Sequence, residues 1–205
     1  MGRGSGSIRP HLAVLLLLTG VLAGLLLRTP VPSVPTPLPQ GEVGERIAAA
    51  LPAELSPLRR AFVESGAALV GRVGYFWGGK SDAVGWDARW GVPAVVTAPG
   101  SSTSGESLPF GLDCSGFVSW VLTQSGVCNT GRLGAQGLYN ICTPTSSPKP
   151  GDLVFFKGTY DTPGVSHCGI YVGDGKMLHC GDPIGYANLN TSYWQSHFYA
   201  YGRLP

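Results

Sequence analysis

His167-Cys168-Gly169-Ile170-Tyr171-Val172-Gly173-Asp174-Gly175-Lys176-Met177-Leu178-His179-Cys180 is two short apolar runs joined by a Gly-Asp-Gly turn. Glycine and aspartate tolerate the left-handed backbone that a tight reversal requires, so the stretch predicts an antiparallel hairpin. Leu153-Val154-Phe155-Phe156 before it and Phe198-Tyr199-Ala200-Tyr201 after it carry the same strand texture. Upstream the spacing changes. Glu42 to Leu51 reads as a short helix ended by Pro52, and Leu55 to Arg72 places Leu58, Phe62, Ala68 and Leu69 at near-helical intervals. A further helix is predicted to start at Cys114, with Phe117, Val118, Val121 and Leu122 as its apolar stripe and Gly126 as its stop. Helices first and an antiparallel sheet afterwards indicate an α+β fold. Residues 81–109, rich in Gly, Ser, Pro and Trp, read as one long surface loop, and a loop of that length tends to carry function.

The chain has 205 residues, enough for one domain and a tail. A hydrophobic content of 43% rules out a wholly disordered chain. The net charge of +2, with no clustered basic face, excludes the nucleic-acid class. Thirty-one glycines, against a usual share of about 7%, favour turns and short strands over a helical bundle. Arg3 and Arg9 precede an apolar run from Leu12 to Leu27. Residues 1–28 therefore read as a signal peptide or signal-anchor helix, which places the bulk of the protein outside the cytoplasm and makes the membrane a partner. Alternating prolines make residues 29–41 an extended spacer, leaving 42–205 as the domain.

Two groups of residues carry chemistry. Asp113-Cys114-Ser115-Gly116 sits where a glycine-rich loop becomes a helix. A cysteine in a first helical turn faces backbone N–H groups and the positive end of the dipole, which favours thiolate and can hold an oxyanion. His167 and His179, at opposite ends of the hairpin, are expected side by side on one face, as a base and the group that orients it. His167-Cys168 and His179-Cys180 also suggest a zinc site, but strand alternation throws His and Cys to opposite faces, so neither metal nor cofactor is expected. In an exported protein, Cys168 with Cys180 and Cys128 with Cys142 are candidate disulfides, with free buried thiols as the alternative.

Four motifs in order, Tyr75-x-Trp77-Gly78-Gly79, Asp113-Cys114-Ser115-Gly116, Gly151-Asp152-Leu153-Val154-Phe155-Phe156 and His167-x-Gly169-Ile170-Tyr171-Val172-Gly173, resemble the NlpC family of cell-wall cysteine peptidases. The likeness runs from about Leu55 to the C-terminus. It implies a papain-like α+β fold and hydrolysis of amide bonds in peptidoglycan stem peptides. By the same resemblance Cys114 is the nucleophile, His167 the base and His179 the orienting third residue, while Tyr75, Trp77, Asp113 and Ser115 fall in the substrate site, where an acidic group can receive a free amino terminus. Related alternatives are a CHAP-like amidase, which cuts between sugar and peptide, and a non-catalytic cell-wall-binding module. The chain departs from the family pattern twice. The 81–109 loop is unusually long, and its Trp86 and Trp90 are expected either to shape a specificity pocket or to tack a surface loop down. Cys168 stands where an aliphatic residue is usual.

Overall fold

The computed structural model describes Met1 and residues 37–204; the apolar run at 12–27 and most of the proline-rich spacer lie outside the described residues. Helix α1 (Glu42–Ala50) carries Glu42 and Glu45 in its first turn, where the helix dipole favours acidic groups. Helix α2 (Pro57–Ala67) is capped by Ser56, whose Oγ accepts from the Arg59 N–H, with Pro57 opening the helix. It stops short of the expected Arg72. From Leu69 the N–H groups bond three residues back, and Gly71, at φ +73°, donates instead to Ile184 O.

Residues 81–109 are not a continuous loop. Strands β1 (Pro93–Val95) and β2 (Ser107–Pro109) form a separate two-stranded antiparallel ladder, with Pro93 opposite Pro109 and Val95 opposite Ser107. Three-residue strands with proline at the ends leave no period to read in the sequence. Helix α3 (Cys114–Gln124) begins on the cysteine, as expected. Helix α4 (Ala135–Asn140) follows. The remaining strands are β3 (Thr143–Thr145), β4 (Leu153–Lys157), β5 (Val165–Gly173), β6 (Lys176–Cys180), β7 (Ile184–Asn188) and β8 (Phe198–Arg203), with helix α5 (Ser192–His197) before the last. They make a six-stranded sheet in the order β3-β8-β4-β5-β6-β7, with every neighbouring pair antiparallel.

Alternation along β4, β5 and β6 divides the core. Leu153, Phe155, Cys168, Ile170, Leu178 and Cys180 face α2 and α3, where they meet Phe62, Phe117, Val118 and Val121. Val154, Phe156 and Met177 face the other way, against Leu189 and Trp194 of α5. Helix α3 is buried almost all round, so its first turn is fixed by packing on every side. One buried charge ties the layers together. The Asp152 carboxylate, wholly inaccessible, bonds Arg59 of α2 at 2.7 Å, Arg203 of β8 at 2.7 Å and the Lys149 N–H at 2.8 Å.

The disulfide alternative does not hold: all five cysteines are free thiols. Cys168 and Cys180 do share one face, but each sulfur has another partner. Cys180 Sγ donates to Leu112 O at 3.0 Å, and Cys168 turns to Cys114.

Candidate active site

Two backbone stretches bring the motif residues together. Residues 74–79 run beside 111–113: Phe76 N–H donates to Leu112 O at 3.0 Å, Leu112 N–H to Gly74 O at 3.2 Å and Asp113 N–H to Gly79 O at 3.1 Å. This approach needs glycine at Gly79 and Gly116, because a Cβ on Gly79 would collide with Gly111 O and one on Gly116 with Gly79 O. The sequence Tyr-Phe-Trp-Gly-Gly is therefore pressed against the start of α3. Asp113 caps that helix, its Oδ1 accepting from Gly116 N–H at 2.6 Å.

Cys114 is nearly buried, 7% exposed, in the first turn of α3. The neighbouring Cys168 thiol and then His167 hold the Cys114 thiol well below its ordinary range, against the opposing effect of burial. The Cys168 thiol is pushed up by the same contact and by burial. His167 and His179 lie diagonally across the β5–β6 ladder, in which Gly169 is the residue opposite His179. The rings still meet, His167 Nε2 to His179 Nδ1 at 3.1 Å. Burial, followed by the neighbouring His167, lowers His179 to about 4, so it stays neutral near pH 7. Trp194 closes over both rings, stacked on His167 at 5.5 Å and 25°, and edge-on to His179 at 5.1 Å.

A cleft of about 260 Å³ opens at the Cys114 sulfur. Tyr75, Trp77, Asp113 and Ser115 line it, as do Lys80 and Tyr160. Trp86 and Trp90 are not among its lining residues. Trp90 is 7% exposed and packs edge-on to Trp120 at 5.4 Å, while Trp86 leans on Trp90 at 4.9 Å beneath the Arg72 guanidinium. The two tryptophans pin the insertion to the core. The insertion reaches the cleft through Ala98 and Pro99, between β1 and β2, where Trp77 Nε1 donates to Pro99 O at 2.9 Å.

Removing the Cys168 S–H donor should raise the Cys114 thiol. In Cys168→Ala the pH midpoint for alkylation of Cys114 by iodoacetamide should move upward, while Cys168→Ser, which keeps a donor, should stay nearer wild type. An unmoved midpoint in the alanine variant would show that His167 and the helix terminus suffice.

The NlpC/P60 family profile matches residues 72–203, which contain the cysteine, both histidines and the cleft walls. The chain belongs to the NlpC/P60 family. Curated relatives include the bifunctional muramidase/DL-endopeptidase CwlT of Bacillus subtilis, 39% identical over 97 residues, covering 46% of this chain and 29% of that protein. The probable peptidoglycan endopeptidase LytE of the same organism is 36% identical over 116 residues, covering 56% and 29%. The matched region thus spans less than a third of either relative. Among solved structures, the peptidoglycan hydrolase RipB of Mycobacterium tuberculosis is 24% identical with a TM-score of 0.50, covering 81% of this chain and 73% of that one. RipD of the same organism, described as a non-catalytic NlpC/p60 domain protein adapted to peptidoglycan binding, is 19% identical with a TM-score of 0.51, covering 72% and 97%. These likenesses establish the α+β NlpC/P60 fold.

Proposed function

We propose that the domain is a cysteine hydrolase that cuts amide bonds within peptidoglycan stem peptides. The observation that carries this reading is Cys114 at the cleft with its thiol lowered in part by His167, and a neutral His179 at 3.1 Å from His167. A neutral His179 accepts at Nδ1 from His167 Nε2–H, which leaves the other ring nitrogen of His167 for the Cys114 sulfur. The thiolate attacks the amide carbonyl, and N–H groups of the first turn of α3 hold the oxyanion. His167 protonates the leaving amine, and water then attacks the acyl-enzyme with His167 taking its proton. The endopeptidase names of CwlT and LytE support the substrate class.

We place this activity outside the cytoplasm, with the 12–27 apolar run as leader or membrane anchor, on the basis of that run and the arginines before it. No helix among the described residues is long and apolar enough to cross a membrane.

Mass spectrometry of purified peptidoglycan after digestion tests the reaction. Fragments with stem peptides cut internally are expected. Whole stem peptides freed from glycan would make the enzyme an amidase, and an absence of products together with a Cys114 inert to iodoacetamide would make the domain a binding module.

A further inference from the structure

We infer that Lys80 makes the cleft a seat for a peptide whose amino end is already acylated, and turns away a free ammonium. The inference deepens the hydrolase reading and rests on it. Asp113 is the one acidic residue lining the cleft among the described residues, so it is the group to which an ammonium would be drawn. Its charge is already balanced. Lys80 Nζ lies 2.7 Å from Asp113 Oδ1, and the two side chains are only 10% and 14% exposed. Lys80 also donates to Ser115 Oγ, which in turn donates to the same carboxylate oxygen at 2.8 Å. A bonded pair this poorly solvated acts on its surroundings as a neutral unit.

An incoming ammonium would meet that pair from the cleft, where Lys80 itself forms part of the wall. Attraction to Asp113 and repulsion from Lys80 then act over similar distances and largely cancel, while the ammonium still gives up its water. The adjoining depression offers no relief. Lys80 and Trp77 line it as well, Arg89 and Arg132 join them, and no acidic side chain is among its lining residues. An acylated amino end has the opposite needs. It carries no charge, gives up less water on entering, presents a carbonyl oxygen that can accept an N–H, and extends an apolar body along Trp77 and Tyr160, whose rings meet edge-on at 5.0 Å. The substrate class is therefore a stem peptide still joined through its amino end to a larger carrier, ahead of the free peptide released from it.

Two synthetic stem peptides, identical except that one has a free and the other an acetylated amino terminus, provide the test. Wild type should favour the acetylated peptide in kcat/KM by about tenfold or more. Lys80→Met bares Asp113 and should shift that ratio toward the free amine by at least about tenfold, while Lys80→Arg, which keeps the cation, should preserve it. Calorimetric binding of both peptides to Cys114→Ala, with and without Lys80→Met, gives the same comparison without turnover, and circular dichroism checks that each variant is folded. A wild-type preference for the free amine, an unmoved ratio in folded Lys80→Met, or binding of neither peptide would overturn the inference. Selective binding of the acetylated peptide without any hydrolysis would sustain it and overturn the hydrolase reading instead.

Discussion

Cys114→Ala should abolish release of stem-peptide fragments from purified peptidoglycan, lowering turnover by about a thousandfold or more. The loss should be this large because no other group in the site can replace the sulfur. Cys168 is a neighbouring thiol, but it is fully buried and its thiol is pushed up by contact with Cys114 and by burial. Without Cys114 that contact disappears and burial remains, so Cys168 stays protonated. The histidines and the first turn of α3 survive the substitution, so substrate should still bind. The fold should survive too, because deleting one small buried side chain costs only about 1 kcal/mol, a shift of a few degrees in Tm. Hydrolysis at the wild-type rate by the folded variant would refute Cys114 as the nucleophile.

Asp152→Ala should have the largest effect on stability, about 3–5 kcal/mol, which corresponds to roughly 10 °C in Tm for a domain of this size. The carboxylate is wholly inaccessible and is the common acceptor for Arg59, Arg203 and the Lys149 N–H, so its loss leaves two guanidinium groups without their counter-charge. Burial alone would raise the Asp152 carboxyl; the bonds from Arg203, the Lys149 backbone and Arg59 outweigh it and hold it low. A carboxyl lowered in the folded state stabilises the protein above its unfolded pKa of about 3.9 and loses that contribution as pH falls toward the folded value. Wild type should therefore lose stability more steeply than the variant below about pH 4. Calorimetric scans of both proteins at neutral and acidic pH measure the difference. A Tm change of under about 3 °C at neutral pH would show that Arg59 and Arg203 are adequately solvated without Asp152.

The parts of the fold that were legible in the sequence are those in which one local signal decides the geometry. The Gly173-Asp174-Gly175 turn announces the hairpin, and β6 runs over Lys176–Cys180 as read. Asp113 announces the start of α3 because an aspartate before an apolar stripe is a cap in its own right. Strands β1, β3 and β7 and helices α4 and α5 are three to six residues long, too short for a period to emerge, and they form because the rest of the fold offers them a partner. The burial of Trp90 depends on Trp120, thirty positions on, and no pattern within the insertion reveals it. Lys80 was illegible for the same reason: beside Gly79 it reads as a surface lysine, and only the return of the chain at Asp113 gives it a role. Trp194 belongs to the site because α5 packs on the histidine face of the sheet, a long-range contact that no local pattern announces.

The β1–β2 ladder shares no strand pairing with the six-stranded sheet, and its contribution to the cleft is confined to Ala98 and Pro99. The insertion is thus one wall of the mouth, seated on the core apart from the sheet that carries His167 and His179. Its length and tip can be redrawn while the tryptophan hinge at residues 86–90 stays seated and the register holding His167 and His179 is untouched. On the proposed function, rebuilding that wall is expected to alter substrate range while leaving Cys114, His167 and His179 in place.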